Sequence, residues 1–247
     1  MSLALNHARI LFLETVRVPI ALVFNVAFPA VLLLFFVLPN EAISGDPGAA
    51  TAATIQLTVF AVMNACLLNF GVGVAEERSR SWEPFLRSLP VGAMSRMSGR
   101  IMNGMAFVVM AVIPVLIIAP LLTEATASPS RLILGFLVVL LCSLPFLFGG
   151  LAIGYSMPMK AALPVAQGIM FPMAFVGGLF LPPEMLPGWV DSASIALPTR
   201  AVRDMVLWAV TGQDVSFWAA PSFIGWTVLT AALAVWAYRR DEGKRYT

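Results

Sequence analysis

Six stretches of this chain, at about 18–38, 53–75, 101–122, 132–154, 161–181 and 216–238, are long and apolar enough to cross a bilayer. A helical crossing takes roughly 20 largely apolar residues. With 60% hydrophobic and only 11% charged residues, the chain falls among membrane proteins. A backbone inside lipid must satisfy its own N–H and C=O groups, so the predicted fold class is all-α, with six transmembrane helices in one domain over 1–247. Glycine, proline or a small polar residue interrupts every window, as in spans that pack on neighbours. Asn25, Gln56, Asn64, Asn69 and Gln167 lie in or near spans and read as interhelical hydrogen-bonding groups. Gly149-Gly150-x-x-x-Gly154 permits close helix approach, and Met157, Met159, Met170 and Met173 read as ordinary packing.

The basic residues orient these spans. Of 15 Lys and Arg, Arg9, Arg17, Arg78, Arg80, Arg87, Arg96, Arg100, Lys160, Arg239, Arg240, Lys244 and Arg245 fall on one side, leaving Arg131, Arg200 and Arg203 on the other. The positive-inside rule then puts both termini and the 76–100 loop in the cytoplasm. A net charge of +2 is too small to point to nucleic acid. Cys66 and Cys142 both lie inside apolar runs and read as small buried hydrophobes. Residues 3–17 make a poor signal peptide, because Arg9, Glu14 and Arg17 interrupt them. With Leu3, Leu5, Ile10, Leu11 and Leu13 set against those charges, they predict an amphipathic interfacial helix.

Between the second and third windows lies Glu76-Glu77-Arg78-Ser79-Arg80-Ser81-Trp82-Glu83-Pro84-Phe85-Leu86-Arg87-Ser88-Leu89-Pro90-Val91. Trp82, Phe85, Leu86 and Leu89 follow i, i+3, i+4, i+7 spacing and form one apolar helical stripe, with Glu83 and Arg87 paired four apart on the wet side. A loop that merely links two spans needs no such stripe. One that docks on another protein at the membrane surface does.

After the fifth window, Gly177-Gly178 ends the helix, and Pro182, Pro183 and Pro187 prevent regular helix from resuming before Trp189. Thr199 is placed to cap a short helix carrying Ala201, Val202, Met205 and Trp208 on one side and an Arg200–Asp204 pair four apart. Residues 182–208 therefore predict short re-entrant or surface-lying helices on the outer side, with no seventh span.

Missing chemistry narrows the function. Gly243-Lys244 is followed by Arg245 and has Tyr238 where a phosphate-binding loop needs its first glycine, so the chain is expected to hydrolyse no nucleotide. The single histidine, His7, leaves no Ser–His or Cys–His couple and no metal cluster. An intramembrane enzyme thus lacks its catalytic groups. No ionisable residue sits in the central part of a span, which disfavours an ion-coupled carrier. Energy must enter from the cytoplasmic face.

The ordered set of an amphipathic N-terminal helix, six spans, E-E-R-x-R-x-W-E-x-x-L-R-S-L-P-V after the second and G-G-L-F-L-P-P-E-x-L-P-x-W after the fifth resembles permease subunits of type-2 ATP-binding-cassette exporters. The resemblance covers essentially the whole chain. It looks most like the compact drug- or antibiotic-resistance permeases, whose polysaccharide-exporting relatives share the layout. Such a resemblance implies a multi-pass protein of the bacterial inner membrane in which Glu76, Glu77, Arg80, Trp82, Glu83, Phe85, Leu86, Arg87 and Leu89 form a coupling helix seated on a separate ATPase. That partner would bind ATP and Mg, and this chain no cofactor. Two permease copies, as a homodimer or a paralogous heterodimer, would enclose the path among membrane lipids. Gly177, Gly178, Pro182, Pro183, Glu184, Pro187 and Trp189 would close its exit. Phe60, Asn64, Phe171 and Phe175 are candidates for the path by span position alone. A hydrophobic drug, antibiotic or lipid-like substrate is expected. Export of a polysaccharide or glycolipid, or a non-transporting scaffold or sensor, stays open.

Overall fold

A computed structural model describes residue 13 and residues 27–79 and 93–243. Among these the chain is helical, with no strand. In chain order the elements are α1 (Ala27–Val37), α2 (Glu41–Ser44), α3 (Pro47–Ser79), α4 (Ala93–Leu122), α5 (Pro129–Cys142), α6 (Leu144–Ser156) and α7 (Met159–Val176). A 3₁₀ turn (Pro183–Met185), α8 (Gly188–Ser194), α9 (Pro198–Thr211) and α10 (Ala219–Gly243) complete it. Five stretches are long and apolar enough to cross a membrane: α3, Met97–Leu122 of α4, Pro129–Ser156 across α5 and α6, α7, and Ala219–Glu242 of α10. The first expected span is described only from Ala27 onward, and residues 3–12, 14–17 and 80–92 lie outside the described residues.

Local chemistry sets the helix starts. The Asp46 carboxylate accepts from the Ala49 amide at 2.7 Å with Pro47 behind it, which satisfies one free N–H at the head of α3. Proline also opens α5 at Pro129 and α9 at Pro198, where its fixed φ suits the first turn. The expected cap of α9 is therefore corrected: Leu197 is the capping residue, and the Thr199 hydroxyl donates instead to the Met173 carbonyl of α7 at 2.8 Å. The expected fourth span is two helices that meet at Ser143, whose successors Leu144 and Pro145 begin α6.

α3 is the hub. Of its most apolar window 81% is buried, against 22–39% for the other spans. It is apolar around its whole circumference, as a helix surrounded by others must be. Within it, Ala65–Val72 widens into π-helix. Val59, Phe60, Met63 and Cys66 pack there with Val108 and Val112 of α4, Leu147 and Leu151 of α6 and Met170 of α7. α6 lies between α3 and α10, where Gly149 would meet Leu67 at 3.7 Å and Thr230 at 3.9 Å if it carried a Cβ. Cys66 and Cys142 are both buried and free. Of the polar span residues, Gln56 and Asn64 are buried, whereas Gln167 is exposed.

Two ends of the bundle result. At one, the Glu124 amide donates to the Ser44 carbonyl (2.9 Å) and the Thr126 amide to the Thr51 hydroxyl (3.1 Å), which joins the α4–α5 connection to α2 and α3. α9 lies at the same end, packed on α3, α5 and α10. At the other end the tails of α3, α6 and α10 converge with α4.

Candidate functional site

The foot of the bundle is built around two arginines. Arg78, in the last turn of α3, donates through Nη1 to the carbonyls of Gly154 (2.7 Å) and Met157 (3.3 Å) and pairs through Nη2 with Asp241 of α10. Those carbonyls belong to the C-terminal end of α6, where unpaired C=O groups carry partial negative charge, so one guanidinium neutralises a helix end and a carboxylate together. Asp241 is only 6% exposed. Burying it without a cation would be costly.

Arg100, early in α4, pairs with Glu77 at 2.7 Å and stands 5.7 Å over the ring of Tyr155. Tyr155 in turn meets Tyr238 edge to face, with ring centres 5.1 Å apart. The Ser79 hydroxyl points at the Met159 sulfur at the start of α7 (3.5 Å). Residues 77–79 and 100 thus flank the 80–92 segment and are tied to α6, α7 and α10. Of the expected coupling residues, Glu76 is exposed and Glu77 half-buried here; Arg80, Trp82, Glu83, Phe85, Leu86, Arg87 and Leu89 lie outside the described residues.

At the other end, α7 stops at Val176. A Cβ on Gly177 would come within 1.9 Å of Thr199 Oγ1 and 2.6 Å of the Met173 carbonyl, so only glycine lets α9 approach this closely. Gly178 has φ +74°, which glycine adopts without strain. Pro182 and Pro183 then lead through the 3₁₀ turn, which includes Glu184, to Pro187 and α8. Trp189 is 78% exposed, and Phe217 and Trp218 stand exposed at the same end.

The Arg200–Asp204 pair forms at 2.9 Å, and Arg200 also pairs with Asp191 of α8 at 2.9 Å. Burial pulls the Arg200 guanidinium down, but its bonds to Asp204 and Asp191 outweigh this and hold it above its ordinary range. The buried face of α9 differs from the expected one. It is Ala201, Val202, Arg203, Val206 and Ala209, with Trp208 exposed, because α9 packs on three helices and covers more than one stripe. Arg203 inside this face was not singled out by sequence pattern. Its position directly before Asp204 was the available signal.

Of the path candidates, Phe60 and Asn64 are buried in the core, while Phe171 and Phe175 are exposed on α7. Phe180 links two of them: its ring centre is 5.1 Å from that of Phe60 and 4.7 Å from that of Phe175.

Comparison with known proteins agrees with this architecture. The ABC-2 type transporter family matches residues 8–210. The chain is 25% identical over 188 residues to YvfS of Bacillus subtilis (strain 168), a protein named as a transport permease; the match spans 76% of this chain and 77% of YvfS. Its apolar helices mark a multi-pass membrane protein, and by the family match the chain belongs to the ABC-2 type transporters as a transport permease.

Proposed function

We propose that this permease forms, as a pair, the membrane path of an ATP-driven exporter and takes its energy from a separate ATPase docked on residues 76–89. ATP and Mg belong to that partner. The observation that carries the reading is the anchoring of the start of this segment and of α4 beyond it: Glu77 pairs with Arg100 of α4, Arg78 is joined to α6 and α10 by carbonyl bonds and an ion pair, and Arg100 stands over Tyr155 of α6. A push on the segment therefore reaches several helices together. ATP binding closes the partner subunits, the docked segments move, and the two permease halves exchange between states of different substrate affinity. The positive-inside count supports cytoplasmic termini, with the foot of the bundle facing the ATPase and the α8–α9 end facing outward. The apolar and aromatic surface of α7 suits a hydrophobic drug, antibiotic or lipid-like substrate.

Co-reconstitution of the permease and its ATPase in proteoliposomes tests this. Substrate-stimulated ATP hydrolysis together with export is expected. A permease that neither binds an ATPase nor changes its activity would act in some other way, as a scaffold or sensor.

A further inference from the structure

α10 packs on α6 and α9 and buries Ala234, Ala237 and Asp241. Its opposite side carries two adjacent rows of residues spaced four apart, Ala231–Val235–Arg239 and Ala232–Trp236–Arg240. Such rows form ridges on a helix, and these six residues line a groove of about 690 Å³. Alanines make its upper floor and the two exposed arginines close its lower end. The tryptophans fix its depth. Trp218, just before α10, and Trp236 are both exposed and 18 residues apart, about 27 Å along a helix. Exposed tryptophans favour the two headgroup levels, which a hydrocarbon core of about 30 Å separates. Arg239 and Arg240, a turn beyond Trp236, therefore reach the phosphate level of the leaflet at the foot of the bundle. The Arg240 guanidinium is held back over the Trp236 ring at 5.3 Å and so stays at that level. Among the described residues no carboxylate pairs with either arginine: Asp241 is taken by Arg78, and Glu242 forms no ion pair with them. The next charges along the chain, Lys244 and Arg245, are basic too.

We propose that this groove holds an anionic phospholipid of the leaflet at the foot, one acyl chain lying along Ala231, Ala232 and Val235 and its phosphodiester accepting from Arg239 and Arg240. Guanidinium and phosphate match in geometry as well as charge. Net charge makes the selection. A zwitterionic lipid brings its own cation to the headgroup and leaves the two arginines unbalanced, whereas an anionic one neutralises them. This lipid is a resident of the protein's outer surface and not its cargo, for which the exposed aromatic surface lies on α7. It steadies α10 from the side opposite the Arg78–Asp241 pair. The inference depends neither on ATP coupling nor on the substrate.

Its test uses the purified permease without an ATPase, so failure here leaves the transport reading standing. The probes are phosphatidylglycerol and phosphatidylcholine with identical chains, titrated onto the detergent-solubilised protein and counted by native mass spectrometry. Phosphatidylglycerol should bind about tenfold more tightly or better, as two arginines at a charged headgroup imply. It should also raise the melting temperature more than phosphatidylcholine does. The double variant R239Q/R240Q should bring both lipids to the same affinity and remove the extra thermal shift. A232F, which fills the groove and keeps both arginines, should weaken phosphatidylglycerol as well. K160Q removes an exposed cation at the same end but on α7, and it should leave the preference unchanged. Equal binding of the two lipids by the wild type would overturn the proposal, and so would an equal loss in K160Q, which would mean diffuse charge attraction. An R239Q/R240Q variant that keeps the lipid preference but no longer retains the ATPase would also overturn it, and would assign this face to the partner protein.

Discussion

Arg78 at the foot of α3 is ion-paired to Asp241 of α10, 163 residues away in sequence, and holds the carbonyls of Gly154 and Met157 with the same guanidinium. Three elements therefore meet on one side chain. R78A removes all of these bonds together and is expected to cost about 3–5 kcal/mol, the range for breaking a buried pair from one side. D241A should cost less, because Arg78 keeps its two carbonyl partners. Thermal unfolding of the detergent-solubilised variants gives the order, and equal losses would place the main stabilisation elsewhere.

Gly177 offers a sharper steric case. Its missing Cβ would lie 1.9 Å from Thr199 Oγ1 and 2.6 Å from Thr199 Cβ. G177A should therefore push α9 from α7 and destabilise by about 1–3 kcal/mol, the usual cost of overpacking. Adding T199A removes the hydroxyl but leaves the Cβ contact, so only part of the loss should return. Melting curves of the single and double variants measure this; a neutral G177A would mean that the two helices separate freely.

Topology can be read by chemical labelling. Cys66 and Cys142 are buried and give little background. A42C, near the α2 end, should react with an impermeant thiol reagent added outside intact cells, and S79C should react only after the membrane is opened. The reverse pattern would invert the proposed orientation.

Coupling is tested on the segment itself. F85A or E83A should leave the permease inserted and folded while export falls well below wild type in proteoliposomes with the ATPase. A buried aromatic contact of this kind is commonly worth about 2 kcal/mol or more, whereas an exposed Glu83–Arg87 pair alone is worth about 0.3–0.5 kcal/mol. A large loss in E83A thus means contact with the partner. Wild-type export in both variants would remove the docking role of residues 76–89.

Several features were legible in the sequence because they depend on neighbours within a few residues. The long apolar stretches from α3 onward follow from summed transfer preferences over each window. The stop after Val176 follows from Gly177-Gly178, and the Arg200–Asp204 pair from four-residue helical spacing. Tertiary structure alone decided the rest. α3 and α10 are both apolar spans, yet their windows are 81% and 22% buried. Lipid is as apolar as a protein core, so a membrane helix carries no polar outer face to reveal which side its neighbours cover. For the same reason Phe60, Phe180 and Phe175 gave no sign of meeting in one aromatic row. Nor did the run of Arg200, Arg203 and Asp204 show that Arg203 would turn inward, since that required α9 to pack against three helices and its own Asp204 to be shared with Arg200. Partners separated by 163 residues, as Arg78 and Asp241 are, are chosen by how the helices assemble, and no local pattern encodes that choice.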